Sequence, residues 1–586
     1  MAAFFATNAA EGPAFVRSGR VPQIRILGPG MHQNKSMDES TQCALPFETM
    51  TREVPPQIVD YNKNLDIYPE SELVFGLTYA VGTDYRPVQE CIERILKHHS
   101  YSTQIVRVSA LIANLTDQPL KDGNEFERIS SFMDAGNIEC KDSKSCDLWA
   151  LAAIGKINSS RGTENQTAQE RVAHIILSLK RPEEVSTLRK VYGTGFFLIG
   201  VFATEKERLD HLIEKNAPKN DAQALIKRDE DELTDRFGQK TSKTFQHADV
   251  FVQLRNKAYD KELTRFFSLV FSNPYETPTQ QENAMFLAYT SSLRSGQLGR
   301  QVGAAITSKG GDVIAVGCND VPKPGGGLYW PGPEDRRDHI CGIDSNDEQI
   351  EKIVSNLVAR IGSHYDQKYT EQLRKEFRSL ETADDEQVEK IISNLVARIG
   401  SRDDQKYIEQ LRKDFRGCLE ITEYGRAVHA EMDALLTCAR SGVSPVGGIL
   451  YVTTFPCHNC TRHIIAAGIQ RVYYIEPYPK SRAAELHEDA IVVEEKSFRQ
   501  HRGPRWKLPY THFVGIGPRR YFDLFSLSLS GGFVLERKAG GQTFSLDKAK
   551  SWPRLPLSPL NYLQREREVI EEFNTFFHKT SGQSHS

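Results

Sequence analysis

From residue 72 onward, short apolar runs alternate with amphipathic stretches along the chain. The runs at 72–75, 103–108, 174–179, 195–202 and 248–252 have the length and flanking turn residues of buried strands. Pro87 and Pro182 open helical patterns between them, a third helix is expected around Leu148 to Leu151, and the charged run 205–236 reads as a helical lid. Strands alternating with helices predict a parallel sheet. A second series follows: a helix over 280–294, two antiparallel strands at 300–306 and 313–319, and strands at 448–453 and 471–475. Residues 1–65 are broken by Gly28, Pro29, Gly30, Pro55 and Pro56 and predict an irregular arm.

One stretch breaks the alternation. Residues 347–378 recur almost verbatim as 385–416, with Ile353, Leu357, Ile361 and Leu373 matched by Ile391, Leu395, Ile399 and Leu411. This is a duplicated, charged, amphipathic helical segment, and two copies are too few for a solenoid. A helical insertion is expected over 346–416, either a tolerated surface addition or a cover over a site or partner surface.

At 586 residues the chain is too long for one core, so two or more domains are expected. Its 74 Lys+Arg against 77 Asp+Glu leave a net charge of −3, without the basic excess that a polynucleotide backbone requires. The ten cysteines show no disulfide framework, and there is no signal peptide or long apolar run. A soluble protein of the reducing cytoplasm, away from membranes, is expected.

The first apolar run leads into a glycine loop from Gly76 to Gly82, followed by Thr83, Asp84 and a helix. Strand, loop and helix in that order are the context of a phosphate-binding P-loop, where backbone N–H groups and a helix N-terminus cradle the anion. The loop is one residue longer between its glycines than the usual motif, and Thr83-Asp84 replace its Lys-Ser/Thr. Without that lysine, phosphoryl transfer loses a main stabiliser. Gly76, Gly82, Thr83 and Asp84 are therefore candidate nucleotide-binding residues of a degenerate P-loop, a nucleotide sensor or a structural remnant.

The most informative residues are His429-Ala430-Glu431 and Pro456-Cys457-His458-Asn459-Cys460. H-x-E followed by P-C-x-x-C is the signature of zinc deaminases. One imidazole and two thiolates give Zn2+ three protein ligands and leave the fourth position to water, as in catalytic rather than structural zinc. Cys457 and Cys460 are one helical turn apart, and a helix N-terminus favours their thiolates. Glu431 can reach the water without binding the metal and can carry its proton to a pyrimidine N3 and to departing ammonia. A lone C-x-x-C is often a structural or redox pair. Here both motifs occur in order around the strand at 448–453, which favours catalysis. His458 is expected to stay off the metal, because a fourth protein ligand would close the site.

Segments 300–306, 317–322, 429–431 and 456–460 resemble the deoxycytidylate deaminase family. The layout over about 70–540 resembles the bacterial anti-phage dCTP deaminases, in which a degenerate P-loop domain precedes such a deaminase. The resemblance implies an α/β chain: an arm (1–65), a P-loop NTPase-like parallel-sheet domain (66–275), a cytidine-deaminase-fold α/β/α domain carrying the insertion (276–540), and a tail (541–586). It implies zinc-dependent conversion of free deoxycytidine nucleotides, dCTP or dCMP, to deoxyuridine nucleotides, depleting dCTP during infection. Housekeeping dCMP deamination and polynucleotide deamination are the alternatives, and a regulatory protein with structural zinc would have no need of Glu431. By motif match, Asn319 would hold the deoxyribose 3′-hydroxyl, or else serve as a turn residue. Arg300 would lie near substrate or an oligomer interface, or else form a surface ion pair. A regulatory nucleotide at the N-terminal domain, an inhibitory RNA or protein, and a homo-oligomer complete the expected partners. Three further expectations rest on residues alone: a phosphate clamp or simple packing at 513–522, plain thiols at Cys318, Cys341, Cys418 and Cys438 with His339 and Cys341 as a second metal alternative, and a peripheral tail with a helix over 564–577.

Overall fold

The computed structural model describes residues 68–346 apart from 122, 163–166 and 231–235, then 348–349, 352 and 355, and 425–581 apart from 479–480, 494–506, 529–533 and 544. The arm, Cys418 and all of the duplicated segment but those four positions lie outside the described residues.

The first apolar runs form strands β1 (Leu73–Tyr79), β2 (Ser102–Arg107), β3 (Val172–Leu177), β4 (Phe196–Phe202) and β5 (Val250–Gln253). They pair in parallel in the order β5-β4-β1-β3-β2. Alternation along the strands divides the core in two. Leu73, Phe75 and Leu77 join the apolar cluster of helices Arg86–His98 and Ala258–Val270. Val74, Ile176 and Leu198 join that of Leu148–Ser159 and Pro182–Tyr192. Covering both faces is why these strands are nearly continuous apolar runs. The charged run after β4 forms two helices, Glu205–Glu214 and Lys219–Glu230.

The second sheet contains β6 (Gly303–Thr307), β7 (Val313–Cys318), β8 (Ile449–Thr454), β9 (Arg471–Glu476), β10 (Ile491–Val493) and β11 (Leu508–His512), in the order β10-β11-β9-β8-β6-β7. β6 is antiparallel to β7 and β8, and the remaining pairs are parallel. Helices Ala430–Ser441 and His458–Ala466 share one core with Ala304, Ile306, Leu450 and Val452. Ala284, Met285 and Ala288 of Gln280–Ser292 share the other with Ala305 and Tyr451. Close approach fixes the first of these helices: a Cβ on Gly317 would meet Ala430 O and Ala434 N at 2.4 Å. Only glycine lets the start of that helix press onto β7.

Three details depart from the sequence expectation. β1 continues through Gly76, where a Cβ would meet Leu179 Cδ1 at 2.5 Å, so the loop begins only at Ala80 and Gly76 is a packing residue of a strand. β12 (Gly515–Ile516), from the 513–522 stretch, pairs antiparallel with β5 of the first sheet. The tail is not peripheral: helix Pro559–Ser581 inserts Tyr562 and Glu566 beside β1, at 2% and 0% exposure. There Arg161 bridges Glu72 and Glu566, Tyr562 donates to Glu72, and Tyr192 donates to Glu566.

Candidate active site

His429 is the residue before helix Ala430–Ser441, and Cys457 that before helix His458–Ala466, at the carboxyl end of β8. Two helix starts thus bring the motifs together. His429 Nδ1 lies 3.3 Å from Cys460 Sγ and 3.4 Å from Cys457 Sγ. With ordinary zinc bond lengths, the nitrogen–sulfur edge of a tetrahedral site is about 3.6 Å, so the three atoms have nearly the spacing a metal would require. Among the described residues they form the only His/Cys/Asp/Glu group able to hold a metal, all ligand atoms lying within 4.8 Å of one another. His339 instead meets the Gly296 carbonyl, and Cys341 the Arg336 carbonyl.

The thiols differ in charge. The Cys460 hydrogen bond, together with His429, holds Cys457 down at about 4 despite burial. The neighbouring Cys457 sulfur and burial push Cys460 up. A cation between them would remove that penalty, since a coordinating thiol is deprotonated outright. The same Cys457 contact raises His429 to about 8. Glu431, 4% exposed in the first turn of its helix, is pushed up by burial. A carboxyl so placed holds and releases protons more readily near neutrality than a solvated one.

His429, Glu431 and Cys457 line a cavity of about 280 Å³ whose walls also include Asn319, Thr454, Phe455 and Tyr478. Asn319 is committed largely to the backbone: its Oδ1 accepts from Val302 N and its Nδ2 donates to Arg300 O, both at 2.7 Å. It ties the strand entering β6 to the end of β7. Arg300 reaches the rim, pairs with Glu476 at 3.1 Å and lies over the Tyr478 ring at 5.5 Å. Glu476 also accepts from Thr454 Oγ1 at 3.1 Å, so one carboxylate holds two pieces of the wall. The sequence reading passed over Glu476 and Tyr478. The available signal was position, because Glu476 ends β9 and Tyr478 lies two residues beyond it, at the carboxyl end of a strand, where open α/β sheets bind ligands.

Other candidates lie apart from this cavity. Gly82, with φ +83°, Thr83 and Asp84 line a cavity of about 440 Å³ at the carboxyl edge of the first sheet. Asp84 pairs with Arg86, and Lys180 reaches the same cavity from another strand end, bound to Asp229 and the Tyr79 carbonyl. Arg520 is no phosphate clamp: it is 6% exposed, pairs with Asp249 and Asp523, and donates to the Phe196 carbonyl. Tyr521 stacks on Phe286 at 3.9 Å.

Residues 278–476 match the cytidine and deoxycytidylate deaminase zinc-binding region. ComE operon protein 2 of Bacillus subtilis (strain 168) is 46% identical over 82 residues, 14% of this chain and 43% of that protein. The deoxycytidylate deaminase of Mycobacterium phage D29 is 52% identical over 48 residues, 8% of this chain and 36% of the relative. The chain thus spans less than half the length of these curated relatives. Among solved structures, the apo dCMP deaminase from cyanophage S-TIM5 aligns over 41% of this chain and 100% of its own at 15% identity, with a TM-score of 0.19. On its sequence match and on the convergence of His429, Cys457 and Cys460, the stretch 278–476 is a deaminase-family domain of the cytidine and deoxycytidylate type.

Proposed function

We propose that the chain is a zinc-dependent nucleotide deaminase that converts deoxycytidine nucleotides, dCTP or dCMP, to their deoxyuridine counterparts. One observation carries this reading: His429, Cys457 and Cys460 converge beside the buried carboxyl of Glu431, and His429, Cys457 and Glu431 line a cavity of about 280 Å³. Zinc held by the three side chains supplies Lewis-acid activation of water at neutral pH. Glu431 does the rest of the proton work. It accepts one proton of the attacking water and delivers it to N3 of the pyrimidine, then takes the remaining proton from the new C4 hydroxyl and passes it to the amine, which leaves as ammonia as the C4 carbonyl forms. Phe455 and Tyr478 offer ring faces to the base.

Arg300 gives the rim a cation for a substrate phosphate, exchanging Glu476 for the ligand. The net charge of −3 favours a free nucleotide over a polynucleotide. In the organism, a dCTP-consuming enzyme would starve viral DNA synthesis, the role suggested by the layout. The cavity at Gly82 and Thr83 is the place for a regulatory nucleotide, without phosphoryl transfer. An inhibitory RNA or protein and a homo-oligomer belong to the same proposal, as does a cytoplasmic location. The described residues contain no helix long and apolar enough to cross a membrane.

The test is to incubate zinc-loaded protein with CMP, CTP, dCMP, dCTP and a cytosine-containing DNA strand, scoring ammonia and product. Turnover of a deoxycytidine nucleotide is expected. Conversion of the strand with every free nucleotide untouched would replace the substrate class.

A further inference from the structure

His429 meets Cys457 and Cys460 through Nδ1, and among the described residues no hydrogen-bond acceptor meets its Nε2. A metal-ligating imidazole usually has its ring set by a hydrogen bond from the second nitrogen. Without such a partner, the placement of this ring rests on the backbone that carries it. On one side that backbone enters helix Ala430–Ser441, where the His429 carbonyl accepts from Asp433 N at 2.9 Å. On the other side stands Val428, which donates to the Asp320 carbonyl at 3.0 Å and accepts from Asp320 N at 3.2 Å.

Asp320 is buried and is itself held from several directions. Its carboxylate accepts from Val321 N at 2.8 Å and from Gly296 N at 3.0 Å, and Arg337 Nη1 lies 3.5 Å away. Arg337, also buried, is fixed in turn by Asp335, with Nη2 2.6 Å from Oδ2 and Nε 3.0 Å from Oδ1. A planar guanidinium forked onto one carboxylate presents its remaining nitrogen in a set direction, here toward Asp320. The next residue, buried Asp338, accepts from Arg426 Nη1 at 2.9 Å, and Arg426 also donates to the Arg336 carbonyl at 3.1 Å. Arg426 lies 88 positions after Asp338 and three before His429. Arg337 and Asp338 thus grip the approach to the metal ligand twice, through Asp320 at Val428 and directly at Arg426. A buried charge cluster is a weak source of stability, since desolvation offsets its attraction, and what it supplies here is direction.

We infer that Asp320, Arg337, Asp338 and Arg426 are positioning residues of the metal centre, which hold the backbone before His429 so that its imidazole meets the two thiols. None of them touches the metal or the substrate. Their effect passes through Val428 to His429 and, because Asp320 follows Asn319, to the wall of the metal cavity as well. The inference rests on the reading that His429, Cys457 and Cys460 hold zinc, and is independent of which nucleotide is deaminated.

The test is the zinc affinity of the full chain, measured by competition with a chromophoric chelator, together with the visible spectrum of the Co2+-substituted protein. Asp320→Asn keeps the size of the side chain and gives up one acceptor and the charge facing Arg337. Arg426→Met removes the second grip at a partly exposed side chain, and it decides alone if Asp320→Asn does not fold. Each folded variant is expected to lose about ten- to a hundredfold in zinc affinity, the usual cost of removing a group that orients a metal ligand, and to shift the Co2+ bands. Glu566→Ala is the control, because it weakens the fold in the core of the first sheet, and it should keep the wild-type affinity and spectrum. Positioning is overturned if a folded variant keeps the wild-type affinity and spectrum, or if Glu566→Ala loses as much as the variants do. A wild-type chain that binds no zinc would overturn the metal reading with it. A wild-type chain that binds zinc but deaminates no nucleotide, with the expected losses in the variants, would count against the deaminase reading and leave the positioning role standing.

Discussion

Cys457 and Cys460 share one task unequally. Cys457 is half-buried and readily ionised, while Cys460, 1% exposed, holds its proton beside its ionised neighbour. Cys457→Ala removes the anionic member and leaves two of the three ligands, one imidazole and one thiol. Dialysed wild-type protein is expected to retain about one zinc per chain and the variant close to none, by elemental analysis. Full occupancy in the variant would show that the ligands are elsewhere. A second residue-scale effect lies far from the metal. Burial pushes Glu262 up to about 7 from 4.5, against one hydrogen bond from Gln253 N. Because the folded pKa is the higher, the unfolded chain ionises first, and stability is lost as pH rises from about 4.5 to 7. Glu262→Gln should match wild type at pH 4 and exceed it above pH 7 by on the order of 2 kcal/mol, allowing for partial exposure, in denaturant titrations. An equal difference at both pH values would remove titration as the cause.

At the scale of elements, the C-terminal helix Pro559–Ser581 completes the first sheet's core. Burial alone would raise Glu72, but hydrogen bonds from His174, Arg161 and Tyr562 hold it down at about 2. Glu566 is the second anion on Arg161, and both side chains are fully buried. Removing one member leaves a buried charge short of a partner, so Glu566→Ala should cost about 3–5 kcal/mol by denaturant unfolding. A change under about 1 kcal/mol would mean that the helix is dispensable. This element also shows where sequence reading ended. β1, β3 and β4 were legible because near-complete burial makes near-continuous apolar runs, and the His429, Cys457 and Cys460 cluster because chemistry fixes its spacing. Residues 564–568, Gln-Arg-Glu-Arg-Glu, look like a solvated face, and nothing local shows that Glu566 meets Arg161, 405 positions earlier. Arg520 stayed ambiguous for the same reason: two arginines beside aromatics suit a phosphate clamp as well as packing, and the Asp249 that neutralises Arg520 lies 271 positions upstream. Gly76 read as a loop glycine because its role, making room for Leu179 and Phe196, depends on packing.

At the scale of the whole molecule, the two sheets direct their parallel strand ends toward neighbouring cavities. One holds Gly82 and Thr83, one is rich in aromatic rings, and one holds His429, Glu431 and Cys457. The first and second share Ala80, and the second and third share Phe455 and Tyr478. The central claim is that the chemistry is hydrolytic deamination driven by Glu431 beside a metal held by His429, Cys457 and Cys460. The most direct measurement is deoxyuridine nucleotide formation from dCMP and dCTP by zinc-loaded wild type and Glu431→Ala, with zinc content and substrate-analogue binding measured on the same samples. The variant should keep its zinc and its binding while turnover falls by at least the ~10²–10⁴-fold expected for loss of a general acid/base. Near-normal turnover by folded, zinc-loaded Glu431→Ala protein would contradict the account.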